Sequence, residues 1–597
     1  MKQLHFTFLL IAGFFIHPSI LYSQQRELSP KAKAIIDSTY NALIKNSKVE
    51  GLSLAIVDHG QIVYATGYGY ADVKNKKKAD ATTIYRIGSC TKSFTCLSLM
   101  QLQEQQKLNV NSPVSTYLTE LAIKSRFNDN NQLPIRDLMS HVSGLPCDVI
   151  NGFFCDSPPD IKWLIQELNK QYTIFPSRYV HAYSNVAFGL LGETIARVSG
   201  TSYSNYVKQH IFTPLGMHHS FIEYDSLLAK DYAKGYMSGK ESIDPMIRDQ
   251  AAGLIHSNVL DMSNYLMMYL NKGSFQNQTI VNVVSIDEME KNQISDIELA
   301  KKDVWGYGLY TSNLMLKKGK DSTYSKMIGH GGDTYLYHAD FKYIPELQIG
   351  AVLMTNSSNG GGLVSASRLL KIYLKQMDSV TMITNPKMPN AKFEFHDSEP
   401  IKNENAYKGS YNLGDFIIDV KDVNKITFHQ GPAKVIFTKR DDTSGYYKAK
   451  AKLFYVIPFK IDNQEFKFIK HKELTYLKVR FKPSMDEDYM GTLLPGSNGQ
   501  VNWKSRCGNY VSASYIFPCK NCGFMNLEGA SVKLKEVNGF IKMEFKGKTA
   551  DMNSTMYLDL IDDKLAFVGG IGRGKGETVR FLDNGNLYYA GMEFKKE

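Results

Sequence analysis

The feature that most constrains this chain is a change of pattern between residues 380 and 405. Before it, runs with helical spacing mix with apolar strand-like runs. After it, almost every segment is a short alternation of apolar and polar residues, as in Phe416–Val420, Lys434–Phe437 and Thr475–Phe481. Alternation of period two buries one face of a strand and wets the other. Many short strands of this kind close into small barrels. The change is marked by Asn385-Pro386, Pro389-Asn390 and a polar run to Asn405, which reads as a linker. At 597 residues the chain is also too long for one compact domain, since domains usually hold about 100–200 residues.

The C-terminal part carries a short repeat. Tyr407-Lys408-Gly409-Ser410-Tyr411 resembles Arg506-Cys507-Gly508-Asn509-Tyr510, with the glycines 508 − 409 = 99 residues apart. Each copy is long enough for about eight short strands. Asn538-Gly539 and Asn584-Gly585 mark hairpin turns. Pro495-Gly496-Ser497 marks the boundary between the copies.

In the first part, Pro30–Ser47 reads as a helix, and Ser53–Asp58 with Gln61–Thr66 as a hairpin turning at His59-Gly60. Helices are expected over Val186–Val198 and Val259–Leu270, and strands return from Val304 to Asn356, among them Leu347–Met354. This order suits one sheet completed by both ends of a domain, with helices on its faces.

At the N-terminus, Lys2 precedes an apolar stretch, Phe6–Ile20, and the small residue Ser23 follows. That layout reads as a secretory leader cleaved after Ser23. His17 and Pro18 interrupt the stretch, which is shorter than the roughly 18–20 apolar residues of a membrane span. No later segment is long and apolar enough to span. The expectation is an exported protein, periplasmic or secreted, without a transmembrane segment once the leader is removed. The expected units are therefore a leader over 1–23, an α/β domain over 24–380, a linker over 381–403, and antiparallel barrels over 404–495 and 496–597.

Export permits disulfides, and seven cysteines leave at least one unpaired. Cys147 and Cys155 lie close enough in one loop to pair. Cys519-Lys520-Asn521-Cys522 reads as a local disulfide or free thiols rather than a zinc site, because only Cys507 is a further candidate ligand. Cys96 sits in a helical apolar pattern and reads as buried. The net charge of +11 reads as a dispersed solvated surface, not a nucleic-acid groove. The run Lys74–Lys78 reads as an exposed loop.

The candidate chemistry begins at Ser89-Cys90-Thr91-Lys92. Ile84–Ile87 is extended, Gly88 permits a sharp turn, and apolar Phe94, Leu97 and Met100 then recur at helical spacing. Ser89 thus stands near a helix N-terminus, with Lys92 one turn on and on the same side. A serine hydroxyl needs a base to become a nucleophile. Lys92 can act as one if burial and nearby positive charge lower its pKa. Alone, S-x-x-K is equally a helix cap.

Two remote groups supply partners. Tyr183-Ser184-Asn185 offers a phenol to move a proton and an amide to hold a carbonyl or the lysine. Tyr203-Ser204-Asn205 has the same letters but follows a Ser199-Gly200 helix stop, so it reads as helix entry. His330-Gly331-Gly332 opens a strand whose glycines let a substrate backbone approach. The N–H of the next residue, Asp333, can join that of Ser89 in an oxyanion hole.

The order S-x-x-K, Y-x-N, H-x-G resembles serine β-lactamases and penicillin-binding proteins. Tyr85-Arg86-Ile87-Gly88-Ser89, Ile135–Pro146, Ile211–Met217 and Ala252-Gly253-Leu254 are similar to other segments of that family. The resemblance covers roughly residues 30–375 and lies nearest the class C β-lactamase, esterase and D-aminopeptidase branch. It implies an α/β domain beside a helical region with the cleft between them. It also implies that Ser89 is acylated, that Lys92 helps deprotonate it, and that Tyr183 protonates the leaving group and helps activate water. Asn185 would orient the acyl amide, and His330 would shape the site. In D-aminopeptidase-type relatives, small lipocalin-like barrels follow the hydrolase domain and can restrict the cleft. Neither metal nor cofactor is implied; the partner is a small or peptide acyl substrate, with cell-wall fragments among the candidates. The oligomeric state stays open.

Departures from the pattern bear on substrate. The third motif has His330 where a lysine usually binds the carboxylate of penicillins and D-Ala-D-Ala termini. A histidine is mostly neutral at pH 7, which disfavours β-lactamase and carboxypeptidase activity. Esters, amides and amino-terminal peptide substrates stay in play. Leu336, flanked by Tyr335 and Tyr337, and Arg178 replace family glycines and are expected to narrow the cleft or reposition the strand. The alternative from another class is a non-catalytic ligand-binding or sensor protein on the same fold.

Overall fold

The structure, a computed structural model, describes residues 28–384, 408–493 and 502–597 apart from short stretches inside each. The expected leader, nearly all of the expected linker and the Pro495-Gly496-Ser497 boundary lie outside the described residues. No described helix is long and apolar enough to cross a membrane.

The helices that frame the first part are α1 (Pro30–Ser47), α2 (Thr91–Glu104), α3 (Asn185–Ser199), α4 (Val259–Leu270) and α5 (Ala366–Gln376). Helix α1 starts where Ser29 Oγ accepts the Ala32 N–H at 3.2 Å, a serine cap that satisfies an orphan donor. Its strands are β1 (Gly51–Asp58), β2 (Gln61–Asp72), β3 (Lys77–Lys78), β4 (Tyr310–Lys318), β5 (Asp321–Asp333), β6 (His338–Ile344), β7 (Ile349–Thr355) and β8 (Thr381–Thr384). They form one antiparallel sheet in the order β8-β4-β5-β6-β7-β1-β2-β3. Strand β1 pairs with β7 in register Leu54↔Leu353 and with β2 across the turn at His59 and Gly60. The sheet is thus closed by both ends of the domain, as the order of elements predicts.

Strand β1 is buried along its whole length because helices cover both faces of the sheet, which favours a continuous apolar run. On one face α1 and α5 pack Ile36, Tyr40 and Leu370 against Leu54 and Leu353. On the other, α2, α3 and α4 pack Phe94, Leu190 and Tyr265 against Val57 and Phe341. The second face carries the helical region, and the cleft opens between it and the end of β5.

Two expectations fail here. The sheet runs past position 380: Thr381–Thr384 pairs with β4 and buries Met382, so these residues are an edge strand and not linker. The run Lys74–Lys78 is an exposed turn only as far as Lys76; Lys77 and Lys78 form the other edge strand, with Lys78 Nζ 3.8 Å above the Tyr70 ring.

Beyond the sheet are two closed antiparallel barrels of eight strands each. The first runs from Gly409–Asn412 to Asp486–Leu493 and the second from Gly508–Ser512 to Met592–Lys596. The repeated segments are the opening strands of the two barrels, and Tyr411 and Tyr510 are both buried. The fold is therefore the expected α/β domain with a helical region, followed by both barrels.

The cysteines differ from expectation at one pair. Cys147 and Cys155 are both free. Cys147 turns its sulfur to the second barrel, accepting the Gly574 N–H at 3.2 Å, while Cys155 lies in a short strand beside Met246. Cys519 is disulfide-bonded, in line with the disulfide alternative, and Cys96 is fully buried.

The second barrel docks on the helical side of the α/β domain. Tyr588 Oη donates to Glu167 Oε2 at 2.9 Å, and the Tyr172 N–H donates to Thr578 Oγ1 at 3.1 Å. Asn151 Nδ2 donates to the carbonyls of Tyr515 and Gly591 at 3.0 and 3.1 Å. The first barrel touches the same domain where the hydroxyls of Tyr476 and Tyr179 meet.

Candidate active site

The approach to Ser89 is rigid. Tyr85-Arg86 pairs with His256-Ser257, and Arg86 is buried against Asp244 and the Pro245 carbonyl. The Ile87 N–H donates to the Ile255 carbonyl at 2.9 Å. Gly88 then takes a positive φ of 51°, a conformation that favours glycine. Gly88–Cys90 forms a single tight turn that runs directly into α2. Ser89 is left half-buried at the cavity wall, and Lys92, one turn later, is fully buried and points back towards it.

Lys92 Nζ has three partners: Ser89 Oγ at 3.1 Å, Asn185 Oδ1 at 2.8 Å and the Ala252 carbonyl at 2.8 Å. An ammonium has three donors, and all three are used. Burial, reinforced by the Arg573 guanidinium, pushes the Lys92 pKa down to about 7. Near neutral pH a large fraction of the amine is therefore unprotonated and able to accept the Ser89 proton.

The Tyr183-Ser184-Asn185 motif is the start of α3. Ser184 is its cap, accepting the Ala187 N–H at 3.0 Å and donating to the Pro146 carbonyl at 2.7 Å. The middle residue thus fixes the backbone while its neighbours reach the site. Tyr183 stacks on His141 at 4.0 Å and lies beside Trp305. Burial raises its pKa, against a hydrogen bond with Ser89, so the phenol keeps its proton at neutral pH. Tyr203 of the look-alike triplet starts a short helix capped by Ser202, and its hydroxyl meets Thr95 Oγ1 in the core.

Strand β5 brings its end against the nucleophile turn. A Cβ on Gly332 would lie 1.9 Å from the Ile87 carbonyl oxygen and 3.0 Å from the Ser89 nitrogen. Only a residue without a side chain permits that approach. Asp333 lines the cavity, and its carboxylate meets His338 at 2.5 Å. His330 is buried behind this wall, and its pKa is pushed down to about 3 by burial and by Lys92. It is neutral at pH 7, so the third motif carries no cation.

These elements enclose a cavity of about 440 Å³ lined by Ser89, Tyr183, Asn185, Gly331 and Asp333, together with Asp148, Phe153 and Tyr335. Of the expected site residues, Lys92, His330 and Gly332 lie behind its surface. The bulky replacements act differently from expectation. Leu336 and Tyr337 are packed into the core, with Tyr337 Oη on the Ala233 carbonyl. Arg178 turns away to Asp137 and Asp296. Of the four, Tyr335 alone lines the cavity.

Two charged wall residues were not anticipated. Asp148 follows the Ile135–Pro146 segment and accepts the Asn185 Nδ2 at 2.7 Å. Arg573 comes from the second barrel and donates to Asp148 Oδ2 at 3.1 Å, with its guanidinium carbon 5.1 Å from the Tyr183 ring centre. A glycine-rich stretch with one arginine, Gly569–Glu577, was the available signal.

An antiparallel sheet flanked by helices, with a serine, a buried lysine and a tyrosine converging where they meet, defines the class of S-x-x-K serine hydrolases. Residues 36–374 match the family described as Beta-lactamase, and the chain belongs to that family. It is 31% identical over 275 residues to Beta-lactamase-like protein 2 of Dictyostelium discoideum, covering 43% of this chain and 48% of that protein. The chain thus spans about half the length of that relative. It is 25% identical over 368 residues to Protein flp of Staphylococcus aureus strain MW2, covering 58% of this chain and 71% of that protein. A structure of the octameric penicillin-binding protein homologue from Pyrococcus abyssi aligns over 77% of this chain and 99% of that one, with 24% identity and a TM-score of 0.47.

Proposed function

We propose that this protein is an exported hydrolase that cleaves an amide, peptide or ester bond through an acyl-enzyme on Ser89. The observation that carries this is the fully buried Lys92 amine 3.1 Å from Ser89 Oγ. In the first half-reaction Ser89 Oγ bonds to the acyl carbon as its proton passes to Lys92. The bond to the leaving nitrogen or oxygen breaks, and that atom takes a proton from Tyr183, which Lys92 replaces. Water then passes a proton through Tyr183 to Lys92 as its oxygen attacks the acyl carbon, the bond to Oγ breaks, and Lys92 returns that proton to Ser89. The N–H groups of Ser89 and Asp333 hold the developing oxyanion, and Asn185 orients the acyl amide. The neutral His330 leaves the third motif without its usual cation, and taken by itself this favours a D-amino-acid peptidase or an esterase over a β-lactamase.

The test is to label the purified protein with a fluorescent fluorophosphonate and a fluorescent penicillin, beside Ser89→Ala. A Ser89-dependent fluorophosphonate adduct is expected. Absence of a Ser89-dependent adduct with either probe would defeat the proposal and leave the ligand-binding alternative.

A further inference from the structure

The cation missing from the third motif is matched by one from a different domain. Arg573 stands on the loop between strands Leu565–Val568 and Thr578–Phe581 of the second barrel, and that loop enters the cleft wall. The loop is tied down on both sides of the arginine. Glu577, buried, accepts the Cys147 N–H at 2.9 Å, and the Gly574 N–H reaches Cys147 Sγ. Asp148, next in sequence, holds the guanidinium and is itself held by Asn185. Arg573 is therefore positioned by the same residue that positions an amide of the site.

We propose that Arg573 is a specificity-determining residue that binds a free carboxylate on the departing part of the substrate. A guanidinium has five N–H donors in a planar fork suited to a carboxylate. Among the described residues, one hydrogen bond of Arg573 is made, to Asp148; 54% of its side chain stays exposed, and the residue lines the cavity. The location specifies the departing side: Arg573 lies over the ring of Tyr183, the group assigned to protonate the leaving atom. The substrate class is then a peptide, amide or ester whose leaving fragment ends in a carboxylate. This rests on the Ser89 reading for the word "leaving", but the carboxylate contact itself is a binding property.

The experiment uses the full chain carrying Ser89→Ala, which binds without turnover, and N-acetyl dipeptides of both configurations as free acids and as C-terminal amides. Calorimetry reads the acid-to-amide ratio of affinities in three backgrounds: Arg573 intact, Arg573→Ala and Arg573→Lys. With Arg573 intact, at least one acid should bind about tenfold or more tighter than its amide, the scale of a hydrogen bond to a charged group. Arg573→Ala should bring that ratio close to one, and Arg573→Lys should restore part of it. The ratio is insensitive to a general loss of affinity, so a disturbed cleft does not imitate the result. The proposal is overturned if no acid is preferred, or if Arg573→Ala leaves the preference intact. Failure of fluorophosphonate labelling in the Ser89 chain would remove the acyl-enzyme and leave this binding result standing.

Discussion

At Lys92 two physical effects act in the same direction. Full burial removes the water that stabilises an ammonium, and Arg573 adds a positive charge nearby. Both favour the neutral amine. The reaction needs that neutral form, so kcat/KM for an ester should rise with pH and level off above about 7. Arg573→Ala removes one of the two effects. The Lys92 pKa should then rise, and the acidic limb of the profile should move to higher pH. An unmoved limb would mean that another group controls it. Ser89 and Lys92 were legible because three residues of helix bring them together by local geometry. Arg573 was not, because its position depends on a barrel docking more than 400 residues along the chain from Asp148 (573 − 148 = 425).

The end of β5 and the turn at Gly88 touch through backbone, and that contact shapes the oxyanion side of the site. Gly332→Ala would set a methyl 1.9 Å from the Ile87 oxygen, so the strand must retreat. A displacement of about 1 Å is enough for a loss on the order of a hundredfold in activity, and overpacking costs about 1–3 kcal/mol. The neighbouring Gly331→Ala meets no atom closer than 3.9 Å. Its cost in stability should stay within about 0.5 kcal/mol. Thermal unfolding and ester turnover of the two variants check this pair. The elements themselves were readable where local chemistry defines their ends. Helix α1 has its serine cap, α3 has Ser184, and the Gly539 and Gly585 turns take the positive φ that a hairpin needs. Strand β8 was missed because its four residues sit beside linker-type sequence, and only pairing with β4 makes them a strand.

Across the whole molecule, the second barrel and the α/β domain share buried polar contacts, and these respond to pH. Burial raises the Glu577 pKa to about 8 from its usual 4.5. The folded chain therefore binds the extra proton between those values, and its stability falls as pH rises through that window. Glu577→Gln keeps an acceptor for the Cys147 N–H without a charge. Relative to the unsubstituted chain, its free energy of unfolding, measured by denaturant titration, should gain more at pH 9 than at pH 5, by an amount on the order of 1–3 kcal/mol. An equal difference at both pH values would exclude Glu577 as the source.

What the sequence determined by itself is what short-range chemistry dictates: the period of each strand, the capped helices, the turn that exposes Ser89 and the lysine one helical turn beyond it. The family order of motifs extended this to Tyr183, Asn185 and the β5 glycines. Tertiary structure alone decided which of these face the cavity. It buried His330 as a neutral ring, turned Leu336 and Arg178 away, and brought Arg573 over Tyr183. The reason is that burial and charge are properties of a surrounding volume, and here that volume is filled by segments hundreds of residues apart in the chain.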